Sequence, residues 1–159
     1  MGLENYGKIL DTPKIGWADF PLIDCITRAF AGVPITLETD ANAAVLAEAT
    51  LGAGKSLQDI VYITNGTGIG GSILSGGRLI HGALHPEFGH FKVPRSLGDS
   101  FPGVYPFHRD CIESLASGPA IAGCWDKTTR ELPEEHPAWD TQAWYLAHGI
   151  LALLAIVSP

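Results

Sequence analysis

Basic residues are scarce in this sequence: ten Lys and Arg stand against seventeen Asp and Glu in 159 residues, a net charge of −7. The ten are scattered, whereas a phosphate backbone demands clustered cations, so charge argues against nucleic acid as a partner. An anionic ligand would have to be held by backbone N–H groups or a metal ion. Cysteine is sparse too. Cys25, Cys111 and Cys124 form an odd set at irregular spacing, which argues against a disulfide framework and for a reducing, cytoplasmic setting. Long apolar runs are missing. The most apolar stretch, 146–157, is about a dozen residues, too short for a bilayer, and is expected to be a helix packed in the core. The first ten residues lack an apolar segment behind positive charge, so no signal peptide is visible. Neither repeats nor low-complexity segments occur. What is present, 46% hydrophobic and 17% charged residues, fits a soluble globular chain with a real core and no membrane partner.

Periodicity then places the elements. Residues 1–20, with Pro13 and Gly16, read as extended or loop. Phe20, Ile23, Ile26 and Phe30 at helical spacing predict a helix over 19–30, closed by Gly32 and followed by a strand over 34–37. An alanine-rich helix starts near Asp40 and ends at Gly52. A β-branched strand over 59–64 leads into the glycine run 66–71, and the strand pattern resumes over 72–74. Ser75-Gly76-Gly77 makes a tight turn before a strand over 78–81. Residues 82–114 are irregular, rich in Pro, Gly, His and aromatics, and so read as functional. A helix is expected to start over 117–127, and another to run over 141–157.

Two short motifs fail on context. Residues 49–56 (ATLGAGKS) fit a loose phosphate-binding P-loop, but a helix precedes them and a strand follows, the reverse of what that loop needs. A helix ending in glycine explains them. Residues 66–71 (GTGIGG) fit the dinucleotide fingerprint loosely, yet no helix opens after them to face a pyrophosphate. Their plain alternative is a flexible hairpin turn. Their functional reading is an anion cradle, because successive N–H groups of a tight glycine turn converge on one point. Thr64 and Thr67 can add hydroxyl donors.

Asp40, at a strand-to-helix junction, reads locally as an N-cap. The series TPKIGW, ETDANAAVLAEA, YITNGTGIGGSILSGGRLIHG, HPEFGH and YPFHRDCIESLASGPA resembles, in order and spacing, the bacterial fructokinases of the ROK family over nearly the whole chain. That resemblance implies an α/β, actin-like ATPase (ribonuclease H-like) fold, incomplete here at both ends. Residues 1–57 would belong to the N-terminal lobe and 58–159 to the C-terminal lobe. It implies phosphoryl transfer from Mg2+ with ATP to a hexose, most readily fructose, with Asp40 as the base. Thr64, Gly66, Thr67, Gly68, Gly70 and Gly71 would contact the transferred phosphate. Thr39, Asp40, Glu87, His90 and Glu113 would bind the sugar, and Thr39 points modestly to fructose.

His90, His108 and Cys111 have zinc-ligand character. In the fructokinases resembled, a further cysteine stands where this chain has Tyr105, a poor substitute for thiolate. Zn2+ would then be held by three residues, with water or Tyr105 in the fourth place; the plain alternative is a loop held by packing alone. Ser114 and Arg109 also depart from the resemblance and suggest drift. The N-terminal glycine-rich phosphate loop and the C-terminal adenosine pocket have no counterpart in these residues, so little or no kinase activity is expected of the chain alone. Two other readings stay open, a ROK-type sugar-responsive regulator and a sugar-binding module without catalysis. The family habit also leaves a homodimer open.

Overall fold

The β-branched run before the glycine turn and the alternating run after it fold as one hairpin. In the computed structural model, which describes residues 7–10, 15–82 and 85–159, β1 (Ile60–Asn65) pairs antiparallel with β2 (Ile69–Ser75). The short β3 (Arg78–Leu79) adds to the free edge of β2. Gly76 and Gly77 both take positive φ at this second turn, the geometry a two-residue hairpin loop requires. The Asp59 carboxylate accepts from Ser75 Oγ and from the Gly76 N–H, which lowers its pKa.

The chain divides into two units, Met1–Glu38 and Thr39–Pro159. The first holds α1 (Leu22–Ala29) and an isolated bridge between Ile9 and Phe20. This helix is shorter than the periodicity predicts. Pro21 precedes it, Asp19 sits at positive φ, and Phe20 is committed to the bridge. The strand expected over 34–37 does not form; a strand exists only by pairing, and no described residue pairs with this stretch. Thr12, Pro13 and Lys14 of the first motif lie outside the described residues, as does part of the extended segment expected over 1–20.

In the second unit α2 (Asp40–Leu51) lies on one face of the hairpin. It ends at Gly52, as the helix-end reading of residues 49–56 requires. Buried Val45 and Leu74 meet the interior on this side, and Ser72 Oγ donates to the Asn42 side-chain oxygen at 2.5 Å. Both of those polar residues are buried, so their bond fixes the helix against β2 where sliding would cost most. The opposite face of β2 carries Ile69, which joins Val93, Ile112, Leu115, Ala116 and Tyr145 in the main core. Alternation along the strand separates the two layers.

Residues 85–114 are more ordered than their composition suggests. A 3-10 turn (Phe88–His90) is followed by an antiparallel bridge between Lys92 and Cys111. A short helix, α3 (Ile112–Ala116), starts where the sequence shows no periodicity long enough to reveal it. Next comes α4 (Gly118–Trp125), capped by Ser117. The last helix, α5 (Ala138–Val157), packs on α3.

That last helix corrects the expectation of a core helix. Only Ala138, Tyr145 and Gly149 are buried, while Leu151, Leu154 and Ile156 are exposed. It is twenty residues long and begins three residues before the expected start at 141. Among the described residues it is long and apolar enough to cross a membrane by length and composition. Tyr145 anchors it: the hydroxyl donates to Asp99, accepts from the Ser96 N–H, and burial raises its pKa.

The glycine of the HPEFGH motif has a packing reason. A Cβ on Gly89 would fall on the backbone carbonyl of Ile69, which no side-chain rotation can clear. Gly89→Ala is therefore expected to destabilise the chain by about 3 kcal/mol, read as a lowered midpoint in urea unfolding. A midpoint unchanged from the parent chain would contradict this packing.

Candidate functional site

Thr39 supplies the N-cap of α2: its Oγ1 accepts from the Asn42 N–H at 3.1 Å. Asp40 is thus relieved of the capping task its position suggested. It occupies the first helical position, exposed, with Oδ1 accepting only from the adjacent Ala41 N–H in the bonds observed. Asp40, Thr64, Gly66, Thr67, Gly68, Gly70 and Glu113 line one cleft of about 390 Å³. The expected base, most of the expected phosphate loop and one expected sugar carboxylate therefore meet in one place.

The glycine run is two structures. Gly70 and Gly71 belong to β2, and only Gly66, Thr67 and Gly68 form the turn, closed by the Gly66 N–H donating to the Gly68 carbonyl at 2.9 Å. Gly70 faces α2, where a Cβ would crowd Thr64 and approach Ala41. Gly71 faces the other way, under Phe88. It lines a separate apolar groove with Glu87, Phe88 and His90 instead of the Asp40 cleft. Glu87 and His90 are therefore not brought beside Asp40. The Glu87 carboxylate instead pairs with His85 Nε2 at 2.8 Å in an exposed position.

Glu113 does more than line the cleft. Its Oε2 accepts from the Ile69 N–H at 2.8 Å and lies against Gly68, where a Cβ would intrude. This carboxylate therefore braces the end of the glycine turn across 44 residues of sequence. A second brace comes from the Gly118 N–H, which donates to the Gly66 carbonyl at 2.8 Å. Neither link is visible in the sequence, since each depends on chain segments that only the fold brings together.

Beyond the turn lies a larger cleft of about 730 Å³, lined by Asn65, Gly66, Thr67, Gly118, Arg130 and Gln142 among others. Gly66 and Thr67 line both clefts, so the turn is their common wall. Arg130 is carried by a 3-10 turn (Thr129–Glu131) closed by a capping box between Thr128 and Glu131.

His90, His108 and Cys111 come together as expected, each offering a donor atom within 4.8 Å of the others. The backbone explains it: Ile112 N donates to Phe91 O and Val93 N to Asp110 O, holding the two segments side by side. His90 Nδ1 is 3.9 Å from the Cys111 sulfur. His108 Nε2 is buried and, among the described residues, has no hydrogen-bond partner, a costly state that a metal ion would relieve. Burial pushes the Cys111 thiol up. This donor set fits zinc. Ser114, which suggested drift, is buried and in use: its Oγ accepts from the Tyr105 N–H at 3.0 Å.

A carboxylate at a helix start thus faces a glycine turn across one open cleft, in a chain of mixed helix and strand. The chain belongs to the ROK family, whose pattern matches residues 3–159. It is 42% identical over 158 residues to a fructokinase of Zymomonas mobilis subsp. mobilis, a match covering 98% of this chain and 52% of that protein. Among solved structures it is similar to a ROK hexokinase from Thermus thermophilus, with a TM-score of 0.72 and 31% identity over 89% of this chain and 53% of that one. It is also similar to a ROK family glucokinase from Streptomyces griseus solved with glucose and AMPPNP. There the TM-score is 0.68 at 26% identity, covering 98% of this chain and 59% of that one. The chain spans about half the length of the curated relatives it matches.

If Glu113 braces the turn, Glu113→Ala should release the Ile69 amide. Losing a bond to a charged acceptor, about 2 kcal/mol, corresponds to roughly 30-fold faster hydrogen exchange there. Amides near Tyr62 should keep their protection. Equal protection at Ile69 in both proteins would rule the brace out.

Proposed function

We propose that this chain carries the sugar- and phosphoryl-handling part of an ATP-dependent hexose kinase, with fructose as the preferred substrate. The observation that carries the reading is the single cleft shared by Asp40, the glycine turn and Glu113. The fructokinase relative supports the choice of sugar, and Thr39 beside Asp40 agrees with it.

In this reading the hexose hydroxyl lies against the Asp40 carboxylate, which takes its proton as the oxygen attacks the terminal phosphoryl group of Mg2+-bound ATP. A loose phosphoryl transition state asks for little covalent help and much positioning. An exposed carboxylate with one backbone bond is free to orient a hydroxyl, and the N–H groups of the turn can hold the transferred group. Thr64, Gly66, Thr67, Gly68 and Gly70 contribute to that hold, and Gly71 supports it from within β2. The cleft behind the turn, larger and holding Arg130, suits the nucleotide. Glu113 both steadies the turn and offers a carboxylate to the sugar.

Glu87 and His90 are proposed as further sugar contacts on the strength of the family resemblance alone; Glu87 would have to leave His85 to make one. The complete protein would have the actin-like ATPase fold of the ribonuclease H-like kind, with a lobe boundary near residues 57 and 58. It would work in the cytoplasm without nucleic acid or membrane, as a monomer or homodimer. This chain alone is proposed to turn over little or no substrate. His90, His108 and Cys111 would hold Zn2+, which supplies a cross-link between the two segments of this loop. A sugar-responsive regulator, or a sugar module without catalysis, would need no carboxylate facing a glycine turn.

Asp40→Asn in the protein carrying this chain is expected to cut kcat about 1000-fold while leaving fructose affinity, measured by calorimetry, unchanged. Retained turnover would dismiss Asp40 as the base. Elemental analysis of protein purified without chelator should find about one zinc per chain; ordered protein free of metal would end the zinc assignment.

A further inference from the structure

A tetrahedral zinc ion takes four donors, of which His90, His108 and Cys111 would supply three. Two imidazoles on one tetrahedral ion, each bonded at about 2 Å, place their ring centroids roughly 5 Å apart. The His90 and His108 centroids are 5.0 Å apart and edge-on, as two ligands of one ion would be. A phenol oxygen on the same ion would carry its ring outward, about 6 Å from each imidazole centroid. Tyr105 does not stand there. Its ring centroid lies 4.4 Å from His90 and 4.7 Å from His108, tilted against both. Those are distances of ring packing.

The backbone agrees. Tyr105 N is held by Ser114 Oγ, and Val104 N by the Ser114 carbonyl, so the residue is fixed beside the imidazoles. Among the described residues no further His, Cys, Asp or Glu joins the three donors. Lys92 and Asp110, next to the site, are paired with each other at 3.0 Å.

We infer that Tyr105 serves as an aromatic wall and not as a ligand, leaving the metal with three protein donors and one position open to water or a small monodentate anion. The inference rests on the zinc assignment above and sharpens it. Closed four-donor zinc sites are structural, whereas three-donor sites keep an exchangeable place. This loop has the second form, although it lies outside the Asp40 cleft.

Cobalt reports on both points without any assay of activity. The full chain is loaded with Co2+ alone, and a sulfur-to-cobalt charge-transfer band, lost in Cys111→Ser, establishes the site. Sodium azide is then titrated. The expected result is a saturable shift of the visible d–d bands, with one azide bound per cobalt. Tyr105→Phe, which keeps the ring and removes the oxygen, should keep both the metal affinity and the azide response. Tyr105→Cys should abolish the azide response by closing the site.

Cobalt spectra that ignore azide would overturn the open position. So would a Tyr105→Phe chain that binds cobalt about tenfold or more weaker, because the oxygen would then be a donor. No charge-transfer band at all would remove the zinc assignment itself, and the inference with it. Should either variant fail to fold, the azide titration of the unaltered chain decides alone.

Discussion

The hydrogen bond from the Ile69 N–H to the Glu113 carboxylate joins the parts of this structure that the candidate site needs. Ile69 begins β2 directly after the glycine turn, and its side chain is buried with Ile112 and Tyr145 in the main core. Its carbonyl occupies the space that Gly89 leaves free. Glu113 lies in the first turn of α3, one residue after the core residue Ile112. The turn is therefore tied to the hydrophobic interior by the residue at its end, and its mobility is limited by how firmly that interior is packed. A charge-assisted bond at the edge of a cleft, backed by buried side chains on both partners' elements, is well suited to this.

Strong local signals were legible in the sequence. The alanine-rich helix, its glycine end, the β-branched strand and the paired glycines of the second turn all appear where their residues point, because each is decided by near neighbours. Elements decided at a distance were not. The strand expected over 34–37 needs a partner, and α3 is too short to show periodicity. The last helix reads as a core helix by hydropathy, yet most of its surface stays outside the packing.

The candidate site divides in the same way. Asp40 and the glycine turn follow one another closely enough for motif and structure to agree on their meeting. Glu113 was legible as a carboxylate in the right neighbourhood, but its bond to Ile69 was not, since nothing in a sequence says which amide it will reach. The three metal donors lie on two segments with recognisable spacing. The reason they meet, the bridge between Lys92 and Cys111, belongs to the fold. Glu87 shows the limit most clearly. It stands in its motif, while its side chain pairs with a histidine two residues away.

The turn of Gly66 and Thr67 has a cleft on each side. A wall two residues thick cannot be displaced toward one side without being withdrawn from the other. An occupant of one cleft that bound one position of the turn better than another would change the affinity of the opposite cleft. Thermodynamic linkage makes the effect mutual, with the same factor in both directions. Glu113 and Gly118, by holding the turn, limit how far an occupant of one cleft could act on the other.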